Sequence, residues 1–105
     1  MIMKNKSPSA KKGNGTVVAD FSCGIKPDAK EVFLVGDFNN WSARADRMEK
    51  RRGAFHKTMR LAPGEYRYKF LVDGEWHTDP SAARQVPNEF GTSNSVISIR
   101  EPTDT

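Results

Sequence analysis

The chain holds one cysteine, Cys23, and two histidines, His56 and His77, among 105 residues. A single thiol closes no intrachain disulfide and supplies no CxxC pair, so no oxidising compartment is required. The two histidines lie far apart, have no cysteine beside them and match no zinc-like spacing. Both read as polar residues on strand or loop surface, and neither a metal nor a cofactor is expected. Long apolar runs are missing too. The opening residues, MIMKNKSPSAKK, offer neither the apolar core of a secretory signal nor a spanning helix, so the expectation is a cytoplasmic protein with no membrane partner.

Catalytic constellations are also scarce. Ser42, Ser81 and Ser93 lack a G-x-S-x-G context, and no glycine-rich loop opens a helix to hold phosphate. Asp73, Glu75 and Asp79 invite a glycosidase reading, which needs two carboxylates flanking a sugar bond. Asp73-Gly74, however, is a hairpin turn signature, and Asp79-Pro80 starts another turn. No activity as an enzyme is expected.

What is present is a balance of 36% hydrophobic and 29% charged residues, which suits one globular domain. The net charge is +4, but Lys4, Lys6, Lys11 and Lys12 fall in a polar stretch unable to build a core face. Residues 1–14 are expected to be a disordered basic leader, 15–101 the folded domain and 102–105 a short tail. Nucleic acid is not expected as a partner. KRRG reads as a charged hairpin loop, and in YRYKF the aromatics alternate to the face opposite Arg67 and Lys69.

From Thr16 onward turn signals recur every ten residues or so. Between them side chains alternate with the period of two that a strand imposes. Val17, Ala19, Phe21 and Cys23 share one face. Tyr66, Tyr68, Phe70 and Val72 form the inward set of the next clear strand, with Arg67, Lys69 and Leu71 outward. Val32, Phe33, Leu34 and Val35 are apolar on both faces, as in a strand central to its sheet. In GAFHKTMRL, Lys57 interrupts a face shared by Phe55, Met59 and Leu61, so it sits near an edge or snorkels. The last strand would put Ile97 and Ile99 inside and Asn94, Val96 and Ser98 outside. Six or seven such strands describe an all-β, immunoglobulin-like antiparallel β-sandwich.

Two tryptophans follow turns, Trp41 in GDFNNWSA and Trp76 in VDGEWHTDP. Such rings either cap the open end of a sandwich or stand exposed. Exposed flat rings among polar neighbours suit sugars, whose C–H faces stack while their hydroxyls take hydrogen bonds.

The runs VFLVGDFNNW, LAPGEYRYKFLVDGEWHTDPSA and FGTSNSVISI resemble carbohydrate-binding module family 48. That family includes the glycogen-binding domain of AMP-activated protein kinase beta subunits and the early-set domain of branching and debranching enzymes. The resemblance covers residues 15 to 100 and implies an early-set sandwich that binds α-1,4-linked glucan (glycogen, starch or maltooligosaccharide) without cutting it. It implies Trp41 and Trp76 as the gripping rings and Lys69 as a polar contact. Phe90, where kinase-type members carry leucine, would be the apolar wedge, with Thr92 and Asn94 bonding to the glucan. The alternative is an interaction or regulatory module whose partner is a glycogen-metabolising enzyme or kinase in trans, its sugar site vestigial.

Overall fold

A computed structural model of the chain describes residues 15–101. The expected leader, 1–14, and tail, 102–105, lie outside the described residues. Eight strands are formed among the described ones: β1 (Val17–Cys23), β2 (Val32–Gly36), β3 (Glu49–Arg51), β4 (Ala54–Leu61), β5 (Gly64–Val72), β6 (Glu75–His77), β7 (Arg84–Pro87) and β8 (Ser93–Ile99). Three antiparallel strands, ordered β1-β4-β3, make one sheet; the other runs β2-β5-β8-β7, with β6 pairing onto β5. The arrangement is an all-β, sandwich-like stack of antiparallel strands. The additions to the expected six or seven strands come partly from the three-residue β3 and β6, too short for alternation to reveal.

Two tight hairpins set register. Arg52-Gly53 joins β3 to β4 and Asp73-Gly74 joins β5 to β6, all four residues at positive φ, which matches the twist of the strands they connect. Asp73 also reaches beyond its turn. Its Oδ1 accepts from the N–H groups of Lys30 and Glu31, and its Oδ2 from Lys26 Nζ at 3.2 Å. The Glu31 N–H comes first among the causes that hold its carboxyl below the ordinary value, and desolvation opposes it. This carboxylate anchors the entry to β2.

The alternation read in β1 and β5 places Ala19, Phe21, Cys23, Tyr68, Phe70 and Val72 in the core with Val32 and Leu34. Phe21 meets Tyr68 edge-on at 5.1 Å between ring centroids, and Phe38 tilts against both rings. Burial of the Cys23 thiol pushes its pKa up, so it remains a protonated core residue.

Two expectations change, and an alternative left open is decided. First, β2 is terminal in its sheet, not central. Residues 46–48 close its free edge, with Leu34 N–H donating to the Asp46 carbonyl and Met48 N–H to that of Val32, so both faces are covered at an edge. Second, Lys57 lies in β4, the middle strand of the small sheet, and reaches Asp46 at 3.6 Å, which is snorkelling toward a partner charge. Third, Asn94 and Val96 face outward as read, yet both are buried, because β7 and the loop before β8 flank them.

Candidate functional site

The outer face of the five-stranded sheet is built around β5. Its outward residues Arg67, Lys69 and Leu71 follow one another at steps of about 7 Å. Trp76 stands directly opposite Leu71 in the β5–β6 pair and therefore on the same face. It is 49% exposed. A turn that fixes two glycine-like dihedrals thus delivers an indole to the surface.

Trp41 arrives by a different route. After β2, a short 3-10 turn, Asp37–Asn39, ends in Asn40 and Trp41, both left-handed at φ 57 and 58. A bulky residue in that region carries strain and persists only where its surroundings hold it. Here Trp41 N–H donates to the Gly36 carbonyl at 2.9 Å, and the indole Nε1–H donates to Asp37 Oδ1 at 2.9 Å. Asn39 supports the turn through Gly36 N–H, the Leu34 carbonyl and Asp46. Gly36 is obligatory, since a Cβ there would stand 2.5 Å from the Arg67 carbonyl oxygen and 2.7 Å from Tyr68 Cβ.

Asp37 links the turn to β5. Its Oδ2 accepts from Arg67 N–H at 2.8 Å and Arg67 Nε at 3.2 Å. Partial burial pushes this carboxyl up, but the hydrogen bonds from Arg67 and Trp41, with the guanidinium charge, outweigh it and hold the group below the ordinary carboxylate value. Trp41 and Arg67 share one carboxylate, so Trp41 borders the Arg67 end of the row that Trp76 closes at the Leu71 end. The row between spans about 14 Å.

Midway lies Lys69, only 9% exposed. Its Nζ donates to Thr92 Oγ1 at 3.2 Å. Asn88 organises the loop: its Oδ1 accepts from the N–H groups of Phe90 and Thr92, and its Nδ2 donates to Asn94 Oδ1 at 3.1 Å. Lys69, Thr92 and Asn94 are therefore joined in one hydrogen-bonded group. Phe90 is 80% exposed, and among the described residues no aromatic ring packs against it.

Asp37 and Asn88 carry no mark in the sequence that distinguishes them as site residues. An acid four residues before a tryptophan and an Asn opening a glycine-bearing loop are the only signals that could have found them. Two of the three carboxylates that suggested catalysis have structural roles, while Glu75 stands exposed with His77 at 3.7 Å. Asp73 holds the β2 entry. Asp79 is buried, accepting the Tyr68 hydroxyl at 2.7 Å and Ser81 N–H at 2.8 Å. Burial first, and then Asp79, push the Tyr68 phenol far above its usual range, so it stays a donor. Among the described residues no group of three His, Cys, Asp or Glu is placed to hold a metal ion.

Comparison with known proteins converges on one family. Residues 24–105 match the model described as the glycogen recognition site of AMP-activated protein kinase. Over 72 residues, 69% of this chain, it is 42% identical to 5'-AMP-activated protein kinase subunit beta-1 of Sus scrofa and to subunit beta-2 of Homo sapiens. Those stretches are 57% and 26% of the respective relatives, so the chain spans only part of each. A maltogenic amylase from S. marinus superposes with a TM-score of 0.62 at 25% identity, over 84% of this chain and 14% of the amylase. The chain belongs to the family of the glycogen recognition site of AMP-activated protein kinase, a non-catalytic carbohydrate-binding module.

Proposed function

We propose that the chain binds α-1,4-linked glucan on the outer face of its five-stranded sheet, in an immunoglobulin-like sandwich of the early-set kind. Trp41 and Trp76 are the stacking plates at the two ends of the row. Lys69, Thr92 and Asn94 supply polar contacts between them, and Phe90 is the apolar wedge at the loop tip. The observation that supports this reading is that half-exposed Trp76 shares a face with the linked Lys69–Thr92–Asn94 group, while Trp41 is tethered through Asp37 to Arg67 at the end of the same row. Glycogen recognition in the matched family and the maltogenic amylase among the superposed structures support the same ligand class.

Each stacked ring adds about 0.5–1.5 kcal/mol beyond area burial, and each exposed hydrogen bond about the same net. After the cost of association, a Kd of roughly 10 μM to 1 mM follows. That strength localises a protein on a polymer of many equivalent sites. Titrating labelled protein with maltoheptaose should move both indole N–H signals. Trp41→Ala and Trp76→Ala should each weaken binding about tenfold with the fold intact; unchanged affinity in both variants would overturn the reading.

The second reading, a module that docks on an enzyme or kinase partner, draws on the relatives being named as kinase subunits. An apolar patch away from the tryptophans would favour it. The large exposed hydrophobics among the described residues are Val18, Trp76 and Phe90. Two of these three are assigned to the glucan face, which leaves Val18 alone and weighs against apolar docking there.

A further inference from the structure

The cationic side chains of the folded part are not spread evenly. Between residues 44 and 60, seven Lys and Arg stand against two carboxylates; across the rest of residues 15–101, six stand against ten. This segment carries β3, β4 and the Arg52-Gly53 hairpin, in the sheet that bears neither tryptophan. A cleft of about 210 Å³ opens there, lined by Arg47, Glu49, Arg51, His56, Lys57 and Thr58. Its one ring is the His56 imidazole; no tryptophan, tyrosine or phenylalanine lines it for a sugar face to stack upon.

The lining has donor capacity to spare. A guanidinium carries five N–H donors in a planar fork. Arg51 spends one terminal nitrogen on Glu49 at 2.9 Å, and Arg47 donates to the Lys30 carbonyl at 3.4 Å. Lys57 has Asp46 at 3.6 Å, and the two basic residues flanking Arg51, Lys50 and Arg52, have no carboxylate within ion-pair distance among the described residues. Three cations, Arg47, Arg51 and Lys57, line the cleft against one carboxylate, Glu49, which offsets only part of their mutual repulsion. A compact dianion with several acceptor oxygens would relieve that repulsion and fill the remaining donors two at a time.

We propose that this cleft binds a phosphate monoester, independently of the glucan face. The volume exceeds that of a phosphate group alone, so the cleft also has room for the first atoms of the ester it is attached to. A phosphorylated hexose and a phosphoserine side chain share this chemistry.

The test is a heteronuclear titration of the full chain at constant ionic strength, following the Arg47 and Arg51 side-chain signals and the amides of residues 47–58. Inorganic phosphate, a hexose phosphate and a phosphoserine peptide form the three arms, with sodium chloride as the blank. Saturable shifts at about millimolar concentration are expected, and the ester that saturates lowest identifies the source. Arg47→Ala combined with Arg51→Ala should weaken binding at least about tenfold while maltoheptaose affinity stays within about twofold. Arg51→Gln, at an exposed position, is the milder variant should the double one lose its fold. Shifts no larger than with chloride, or shifts unchanged in folded variants, would overturn the site.

Discussion

Removing the Asp37 carboxylate tests whether one side chain holds a binding ring in place. Asp37→Ala deletes the acceptor for Trp41 Nε1–H, Arg67 N–H and Arg67 Nε at once. The Arg67 N–H then lies just beyond the last β2–β5 pair, Gly36 with Tyr68, with no strand to replace the lost partner. Hydrogen bonds to a charged group contribute about 1.5–3 kcal/mol when buried. This carboxylate is about a quarter exposed, so a total stability loss near the low end, about 1–2 kcal/mol, is expected. Binding loses more specifically. A freed indole must be ordered again when glucan arrives, at about 0.5–1.5 kcal/mol, which raises Kd roughly 2- to 12-fold.

Urea unfolding reads the first quantity, and maltoheptaose titration with the Trp41 indole N–H as reporter reads the second. Asp37→Asn, which keeps one acceptor oxygen, should fall between wild type and Asp37→Ala. The pH dependence has a definite sign. Because the folded carboxyl titrates below the unfolded one, its contribution is fully present above about pH 4 and is lost as pH falls through the folded value. An Asp37→Ala protein with wild-type affinity and an unmoved indole signal would refute the tether.

Two further substitutions probe the loop before β8 and the buried Tyr68–Asp79 pair. Asn88→Ala should speed amide exchange at Phe90 and Thr92 and lower stability by about 1–2 kcal/mol, since their N–H groups lose the Asn88 oxygen; native exchange rates would show that the loop is held otherwise. Tyr68→Phe removes the hydroxyl donor to buried Asp79 and should cost about 1–3 kcal/mol, seen as a Tm lower by about 4–20 °C. An unchanged Tm would mean that Asp79 is satisfied from elsewhere.

Much of the framework can be read from local chemistry. The outward Lys69 and the inward Tyr68 and Phe70 follow from a period of two, and Asp73-Gly74 marks its hairpin because few residues accept two positive φ angles in succession. The site is legible to the extent that residue types announce it: two tryptophans beside turns are visible in any reading of the chain. Neither Asp37 nor Asn88 is visible this way, because an Asp or Asn in a polar loop is ordinary. Their partners, Arg67 for Asp37 and Asn94 for Asn88, come from another strand or the far side of a loop.

By itself, then, the sequence determined the longer strands, which of their residues alternate toward the core, and that two indoles follow turns, since each depends on neighbours a few positions away. Tertiary structure alone decided that β2 is an edge strand sealed by residues 46–48. It also decided that outward Lys69 and Asn94 are nonetheless buried, that Asp79 meets Tyr68 in the interior, and that Arg47, Arg51 and Lys57 line one cleft. The physical reason is one of range. Backbone dihedrals and alternation are set by local sterics, whereas burial and charge proximity depend on which distant segment is folded over each face.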